Sequence, residues 1–187
     1  MPALRVQILQ VRTTTDGIPA LMIAPQYLYD KRAPALSELG FVPKHVMPVI
    51  TQLSCVSGSK PMTGVYMAHM NAWDVINRTK TTSLIIEADW TTAKRSLPDT
   101  RKLLNDVLSK YNAGNKELIS VGGCTQFGLP HVCTTAYFMT PKGAEKMLQR
   151  SADTKFCPHT EPLDDTFRVR KLVVFFLLHW LILSNSI

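Results

Sequence analysis

The stretch SLIIEADW at residues 83–90 decides the fold of this chain, because a short aliphatic run ends there abruptly in acidic residues. Ser83–Ile86 is a short aliphatic run that fits a buried strand, and it ends abruptly in Glu87, Ala88 and Asp89. In α/β sheets, ligands collect outside the carboxyl ends of the strands. The sequence therefore predicts a buried strand whose end places two carboxylates where a ligand binds.

Short apolar runs alternate with helical patterns on both sides of this stretch. Strands are predicted at residues 4–11, 20–24, 46–50, 83–86, 118–121 and 132–140. Helices are predicted at residues 31–40, 62–77, 98–111 and 141–148, with Gly40 ending the first and Pro98 and Pro141 opening the last two. This alternation predicts an α/β fold with a mostly parallel central sheet.

Composition narrows the class of protein further. The chain has 187 residues, the size of one domain, and its 45% of hydrophobic residues excludes intrinsic disorder as the main state. With 21 lysines and arginines against 14 aspartates and glutamates, its net charge of +7 favours anionic partners: a nucleic acid, a membrane surface or a phosphorylated small molecule. The four cysteines contain no C-x-x-C pair, which excludes a zinc ribbon and a thioredoxin-like motif.

The two ends of the chain differ in character. The first seventeen residues lack the apolar run of a secretory signal. Residues 172–183 read LVVFFLLHWLIL, which is shorter than the roughly 20 apolar residues that span a bilayer. A buried terminal element is the first interpretation of this hydrophobic tail. A partial membrane anchor and a replacement for a longer natural C-terminus are the alternatives.

The acidic strand end has a functional and a structural interpretation. Hard cations such as Mg²⁺ and Mn²⁺ prefer carboxylate oxygens together with phosphate oxygens of a substrate, so Glu87 and Asp89 are candidate metal ligands. Solvated turn residues explain the same pattern. A second acidic pair, Asp164 and Asp165, fits either a helix N-cap or a general base that takes a proton from an attacking hydroxyl.

Two further features carry the same ambiguity. His69 lies on the apolar side of its predicted helix, one turn before Trp73, where a satisfied core histidine is the alternative to a ligand-binding one. Gly122 and Gly123 allow close approach of a substrate to the backbone, or simply a tight turn. No Walker loop, Rossmann fingerprint or Ser/His/Asp motif is present in the sequence.

An ordered series of motifs resembles glycosyltransferase family 25, which contains lipooligosaccharide and procollagen galactosyltransferases. The motifs are KRAPALSELGF, HVMPVI, GVYMAHMNAWDVI, SLIIEADW, ELISVGG and TTAYFMTPKGAEKMLQ, followed by an acidic Pro-x-Asp-Asp element at residues 162–165. They keep the family's order over residues 31–167. The resemblance predicts one family 25-like domain over residues 1–170, followed by the hydrophobic tail at 171–187.

The resemblance implies a GT-A-like, nucleotide-sugar-binding fold and an inverting transfer of a hexose, often galactose, from a UDP-sugar to an acceptor hydroxyl. The acceptor would be a glycan, a lipid-linked glycan or a protein hydroxyl, with no specific nucleic acid expected. By the same resemblance Glu87 and Asp89 hold Mn²⁺ or Mg²⁺, and Asp164 or Asp165 activates the acceptor. The donor is bound through four further residues: Arg32, His69, Gly122 and Gly123.

Departures from the family pattern motivate a second hypothesis. Ala88 replaces the central Asp of the family's Glu-Asp-Asp, and Val65 and Ala68 occupy its Cys and Ser positions. The hydrophobic tail replaces a polar region, so the domain is incomplete at its C-terminus if that region normally completes the site. These changes suit a catalytically impaired member that acts as a binding module. The charge of +7 alone suggests a third hypothesis, a basic nucleic-acid-binding protein.

Overall fold

The computed structural model describes residues 14–48, 60–92, 95–111, 116–121, 123–126, 129–132, 135–151 and 173–174. Strands and helices alternate through its first half: β1 (Pro19–Ile23), α1 (Gln26–Glu38), β2 (Val42–Val46), α2 (Lys60–Thr79), β3 (Ser83–Glu87) and α3 (Leu97–Tyr111). The second half contains β4 (Leu118–Ser120), β5 (Gly123–Gln126), β6 (Leu129–Val132), β7 (Ala136–Met139), α4 (Pro141–Ser151) and β8 (Val173–Val174). The predicted α/β class is confirmed.

The central sheet is mixed. Five strands of three to five residues lie in the order β2-β1-β3-β7-β4, and the two-residue β8 adds to β4. β1 pairs in parallel with β2 and β3, whereas β7 runs antiparallel to both of its neighbours, β3 and β4. The prediction of a mostly parallel sheet is therefore confirmed in part: among the described strands of this sheet, β7 runs against the others. The chain returns from β4 to β7 through the β5–β6 hairpin, and antiparallel neighbours need no crossover helix between them.

Helices cover both faces of the sheet and produce two apolar clusters. One cluster joins the sheet to α1 and α3 and includes Leu84 and Ile86 of β3. The other joins it to α2 and α4 and includes Ile85 of the same strand. Both faces are buried, so successive residues of β3 are apolar without alternation, as expected of an internal strand.

Three element bounds differ from those expected. The second strand is Val42–Val46, whereas 46–50 was predicted; it lies at an edge of the sheet, where the missing N–H of Pro43 is tolerated. The first helix begins at Gln26, before the predicted Lys31, and accommodates Pro34. The strand predicted at 132–140 is shorter, Ala136–Met139, and Val132 ends the preceding strand β6. The strand predicted at 4–11 lies outside the described residues. The strands over 19–23, 83–87 and 118–120 lie where the sequence predicts them, and so do α2, α3 and α4.

Gly40 ends α1 as predicted. Its φ of +94° is a left-handed conformation that side chains rarely adopt. The backbone N–H of Gly40 donates to Ser37 and that of Phe41 donates to Leu36, which is the Schellman arrangement. Leu36 and Phe41 are both buried, so the helix end is also fixed by apolar packing.

Within the described residues, no helix is long and apolar enough to cross a membrane. Of the hydrophobic tail, only Val173 and Val174 are described, as the strand β8 beside β4.

Candidate functional site

The acidic stretch lies at one edge of the sheet, which we call the carboxyl edge. β1 and β2 end there with β3, and β4 ends there too because β4 and β3 are both antiparallel to β7. Immediately after β3 the backbone N–H of Trp90 donates to the carbonyl of Glu87 at 3.3 Å. This hydrogen bond closes a turn whose central residues are Ala88 and Asp89, so the chain leaves the regular pleat of the strand directly after Glu87.

Glu87 is held by a buried histidine. Side chains two residues apart share one face of a strand, so Glu87 faces the same side as Ile85, towards α2. On α2, His69 is fully buried, and its Nε2 lies 3.1 Å from Oε1 of Glu87. The carboxylate itself keeps 23% of its side-chain surface exposed. The structure therefore fixes one oxygen of a partly exposed carboxylate at the carboxyl edge.

The histidine is itself held by two aromatic side chains. The hydroxyl of Tyr137 on β7 lies 2.7 Å from Nδ1 of His69, and the two rings are stacked. Trp73, one turn after His69 on α2, donates its indole N–H to the same hydroxyl oxygen at 3.0 Å. We call the connected side chains of Trp73, Tyr137, His69 and Glu87 the relay. Three of its members are at most 1% exposed, so its hydrogen bonds form away from water.

Burial governs the ionisation of Tyr137. Burial raises the pKa of its phenol well above the ordinary value of 10.0. The hydrogen bond from Trp73 opposes this effect, and the negative charge of Glu87 adds to it. Tyr137 therefore keeps its proton at neutral pH, and its hydroxyl is a hydrogen-bond donor as well as an acceptor.

Asp89 and Ala88 have different surroundings. Asp89 is exposed, at the second central position of the turn that follows β3. Ala88 is partly buried and packs against the apolar cluster on the side of α1 and α3. Ala88 thus contributes a methyl group to the core.

Arg32 and Trp90 form a wall beside the acidic turn. The guanidinium carbon of Arg32 lies 6.0 Å from the centroid of the Trp90 ring, and Trp90 is 7% exposed. Nε of Arg32 and Nε1 of Trp90 are buried and find no hydrogen-bond acceptor within the described part of the chain. A buried donor without an acceptor costs free energy and is uncommon in native proteins. Two such donors side by side mark a place where a ligand could supply the acceptors.

The structure brings several of the predicted site residues to one edge. Glu87, Asp89 and the buried His69 meet at the end of β3, and Arg32 reaches the same turn through Trp90. Gly123 begins the β5–β6 hairpin just after β4 reaches the carboxyl edge. Three predicted residues, Gly122, Asp164 and Asp165, lie outside the described residues.

Sequence reasoning did not assign functional roles to Tyr137, Trp73 or Trp90. Trp73 was visible as a helical neighbour of His69, because side chains four residues apart share a helix face. Trp90 was visible as the aromatic residue that closes the acidic stretch. Tyr137 carried no local signal, because its contact with His69 spans 68 residues of chain.

The carboxylates of the acidic turn suit a hard divalent cation whose remaining ligands come from a substrate. Among the described residues there is no group of three or more histidine, cysteine or acidic side chains that could hold a metal ion. Mg²⁺, however, is commonly bound through one or two carboxylates together with substrate phosphates and water. Glu87 and Asp89 supply two such carboxylates, so the residues present suit a cation that arrives with a phosphate-bearing ligand.

The chain was also compared with known proteins. No protein-family model matches it, and neither does any curated protein or solved structure. The resemblance to glycosyltransferase family 25 thus rests on the order of the sequence motifs and stays a prediction.

Proposed function

We propose that this protein is a metal-assisted glycosyltransferase that moves a hexose, with galactose the first expectation, from a UDP-sugar to an acceptor hydroxyl. The observation that supports this most directly is the hydrogen bond from His69 to Glu87 at the carboxyl edge. It holds an acidic side chain in the part of an α/β sheet where ligands collect. The motif order at residues 31–167 supports the same assignment.

Glu87 and Asp89 would hold Mn²⁺ or Mg²⁺ together with the diphosphate of the donor. When bound, such a cation neutralises the charge that builds on the departing phosphate. Glu87 contributes a carboxylate whose direction is set by His69. Asp89 contributes an exposed carboxylate in the adjoining turn.

Arg32 and Trp90 supply donors for the phosphate oxygens. A phosphate offers several acceptor oxygens, and arginine forms charge-assisted hydrogen bonds with it that are stronger than neutral ones. Nε of Arg32 and Nε1 of Trp90, which have no acceptor within the described residues, would both gain one when such a group binds beside the acidic turn. Binding would thereby relieve the cost of two buried donors without acceptors.

The transfer is a single displacement. The acceptor oxygen attacks the anomeric carbon, and the bond from that carbon to the phosphate oxygen breaks, with its electron pair leaving on UDP. The configuration inverts because attack and departure occur on opposite faces of the sugar. By the family resemblance, the carboxylate of Asp164 or Asp165 takes the acceptor's proton as the new bond forms.

The first test is calorimetric titration of the full chain with UDP, with and without Mn²⁺. We expect Mn²⁺ to strengthen UDP binding, and the double variant Glu87→Gln, Asp89→Asn to lose that strengthening. Glu145→Gln, which removes an exposed acid on α4, is the matched control. Metal-dependent binding that survives in the double variant would remove the site assignment. A panel of UDP-sugars, assayed for UDP release with and without acceptor, then identifies the donor.

One observation favours a second candidate, a non-catalytic binding module. Ala88 stands where the family has an acid, and its methyl group packs against the apolar cluster. The same titration separates the two candidates. An absence of UDP affinity in the presence of Mn²⁺ would favour the binding module over the transferase.

A further inference from the structure

The relay contains a directional chain of hydrogen bonds. An indole N–H can only donate, so Trp73 occupies a lone pair of the Tyr137 oxygen at 3.0 Å. Tyr137 keeps its phenolic proton, and the nearest ring nitrogen of His69, Nδ1, lies 2.7 Å from the hydroxyl. A carboxylate only accepts, so Nε2 of His69 carries the proton of its 3.1 Å hydrogen bond to Glu87. A ring with a single proton, on Nε2, leaves Nδ1 as an acceptor, and the Tyr137 hydroxyl is the donor that faces it.

One helix and two strands of the fold fix this arrangement. Trp73 and His69 are four residues apart on α2, so both reach the same position over the sheet. Tyr137 is opposite Ile85 in the β3–β7 register, and Glu87 lies two residues further along β3 on the same face. All four side chains therefore come from regular secondary structure, the helix α2 and the strands β3 and β7, and none comes from a loop.

We propose that Trp73 and Tyr137 are positioning residues that lock His69 in its Nε2–H tautomer, so that this N–H orients the carboxylate of Glu87 towards the ligand at the carboxyl edge. The tautomer lock stands on the hydrogen bonds alone. Its consequence for ligand binding rests on the proposed function, in which Glu87 binds the cation that accompanies UDP.

The physical reason for such a device is the direction of the carboxylate. An N–H donor fixed on Oε1 of Glu87 orients the group and leaves its other oxygen available to a cation. Partners that orient a ligating group through hydrogen bonds typically change metal affinity by about 10- to 100-fold when they are removed. If the network only filled the core, its loss would destabilise the fold, and a change of the His69 tautomer would not change the metal affinity.

The test reads the tautomer directly. The full chain is labelled with ¹⁵N-histidine, and long-range ¹H–¹⁵N correlation spectra distinguish the two neutral tautomers of each of its 5 histidines. The signals of His69 are assigned by their loss in His69→Gln. We expect His69 to be an Nε2–H tautomer in the unchanged protein. Tyr137→Phe should abolish that preference, and Trp73→Phe, which removes only the upstream donor, should weaken it.

The same variants are titrated with UDP in the presence and absence of Mn²⁺. We expect Tyr137→Phe to weaken the Mn²⁺-dependent affinity by about tenfold and to leave metal-independent UDP binding unchanged. Tyr66→Phe is the matched control, because Tyr66 is a similarly buried tyrosine on α2 whose hydroxyl bonds to Ser151 at 2.9 Å. It should change neither the tautomer nor the metal dependence.

The outcomes separate the relay from the proposed function. An Nδ1–H tautomer in the unchanged protein, or a Tyr137→Phe variant that keeps the Nε2–H tautomer, would overturn the relay. A lost tautomer preference with unchanged Mn²⁺-dependent affinity would overturn its role at the ligand site. If the unchanged protein binds no UDP, the proposed function fails while the tautomer spectra still decide the lock. Should Tyr137→Phe not fold, Trp73→Phe and Tyr66→Phe carry the same comparison.

Discussion

Ile85 on β3 lies directly opposite Tyr137 on β7. This register places the phenol beside the last residue of β3, because Glu87 follows Ile85 by two positions and shares its face. A shift of one residue would turn Tyr137 to the other face of the sheet, away from α2. The pairing of two antiparallel strands therefore decides whether the acidic strand end has a buried partner.

The high pKa of Tyr137 predicts a loss of stability in alkali. Its pKa is higher in the folded than in the unfolded chain, so the contribution of the protonated phenol is complete below pH 10.0 and is lost as the pH rises beyond it. Above that pH, the difference in unfolding free energy between the unchanged protein and Tyr137→Phe should fall by about 1.4 kcal/mol per pH unit. Urea unfolding from pH 8 to 11 measures it. Tyr27→Phe is the control, since Tyr27 is 70% exposed, and an unchanged difference would contradict the prediction.

Gly143 is packed too closely for any side chain. A Cβ there would lie 2.3 Å from the carbonyl oxygen of Glu117 and 2.6 Å from Sδ of Met139. This carbonyl oxygen accepts a hydrogen bond from the backbone N–H of Thr140 at 3.0 Å, so it cannot move without breaking that bond. We expect Gly143→Ala to lower the free energy of unfolding by about 1–3 kcal/mol, the usual cost of overpacking. Chemical denaturation checks this, with Glu145→Ala as an exposed control on the same helix; equal midpoints for the two variants would refute the close packing.

Glu117 couples stability to acid pH. Burial raises the pKa of its carboxyl, but Lys146 at 2.5 Å and Lys142 at 3.4 Å outweigh burial and lower the pKa below its ordinary value of 4.5. A lowered pKa means that the ionised group stabilises the fold above that pH, and that this stability is lost as the pH falls below it. Both lysines are exposed, so the contribution should be about 1 kcal/mol or less.

Glu117→Gln tests this coupling by thermal or urea unfolding between pH 3 and 7. The variant should be less stable than the unchanged protein near pH 7, and the difference should shrink as the pH falls below 4.5. Glu145→Gln removes an exposed acid on α4 and supplies the control for net charge. Parallel curves for Glu117→Gln and the unchanged protein would show that the ion pairs contribute nothing that depends on pH.

Arg32 should contribute to UDP affinity through its geometry as well as its charge. Arg32→Lys keeps the positive charge but removes the Nε–H, which has no acceptor in the described part of the chain. We expect it to weaken UDP binding about tenfold, in line with the loss of one charge-assisted hydrogen bond. Lys31→Gln, at the exposed neighbouring position, should leave the affinity nearly unchanged. Calorimetric titration measures both, and equal affinities for Arg32→Lys and the unchanged protein would exclude Arg32 from the phosphate site.

The order of strands and helices along the chain could be predicted because it depends on patterns among neighbouring residues. The aliphatic run before Glu87 predicted β3 to within one residue, and Pro141 marked the first residue of α4. The second strand was misplaced, because Pro43 makes Val42–Val46 resemble a turn until its edge position is known. The β5–β6 hairpin was not predicted, so the antiparallel course of β7 was missed with it.

By itself the sequence determined the acidic strand end, the helix that carries His69 and Trp73, and the glycine that ends α1. Each of these follows from the periodicity or conformational preference of neighbouring residues. Only the tertiary structure decided that Tyr137 joins His69, and that Arg32 lies over Trp90. Those contacts join residues far apart in sequence, and they depend on strand order and register, which local patterns do not encode.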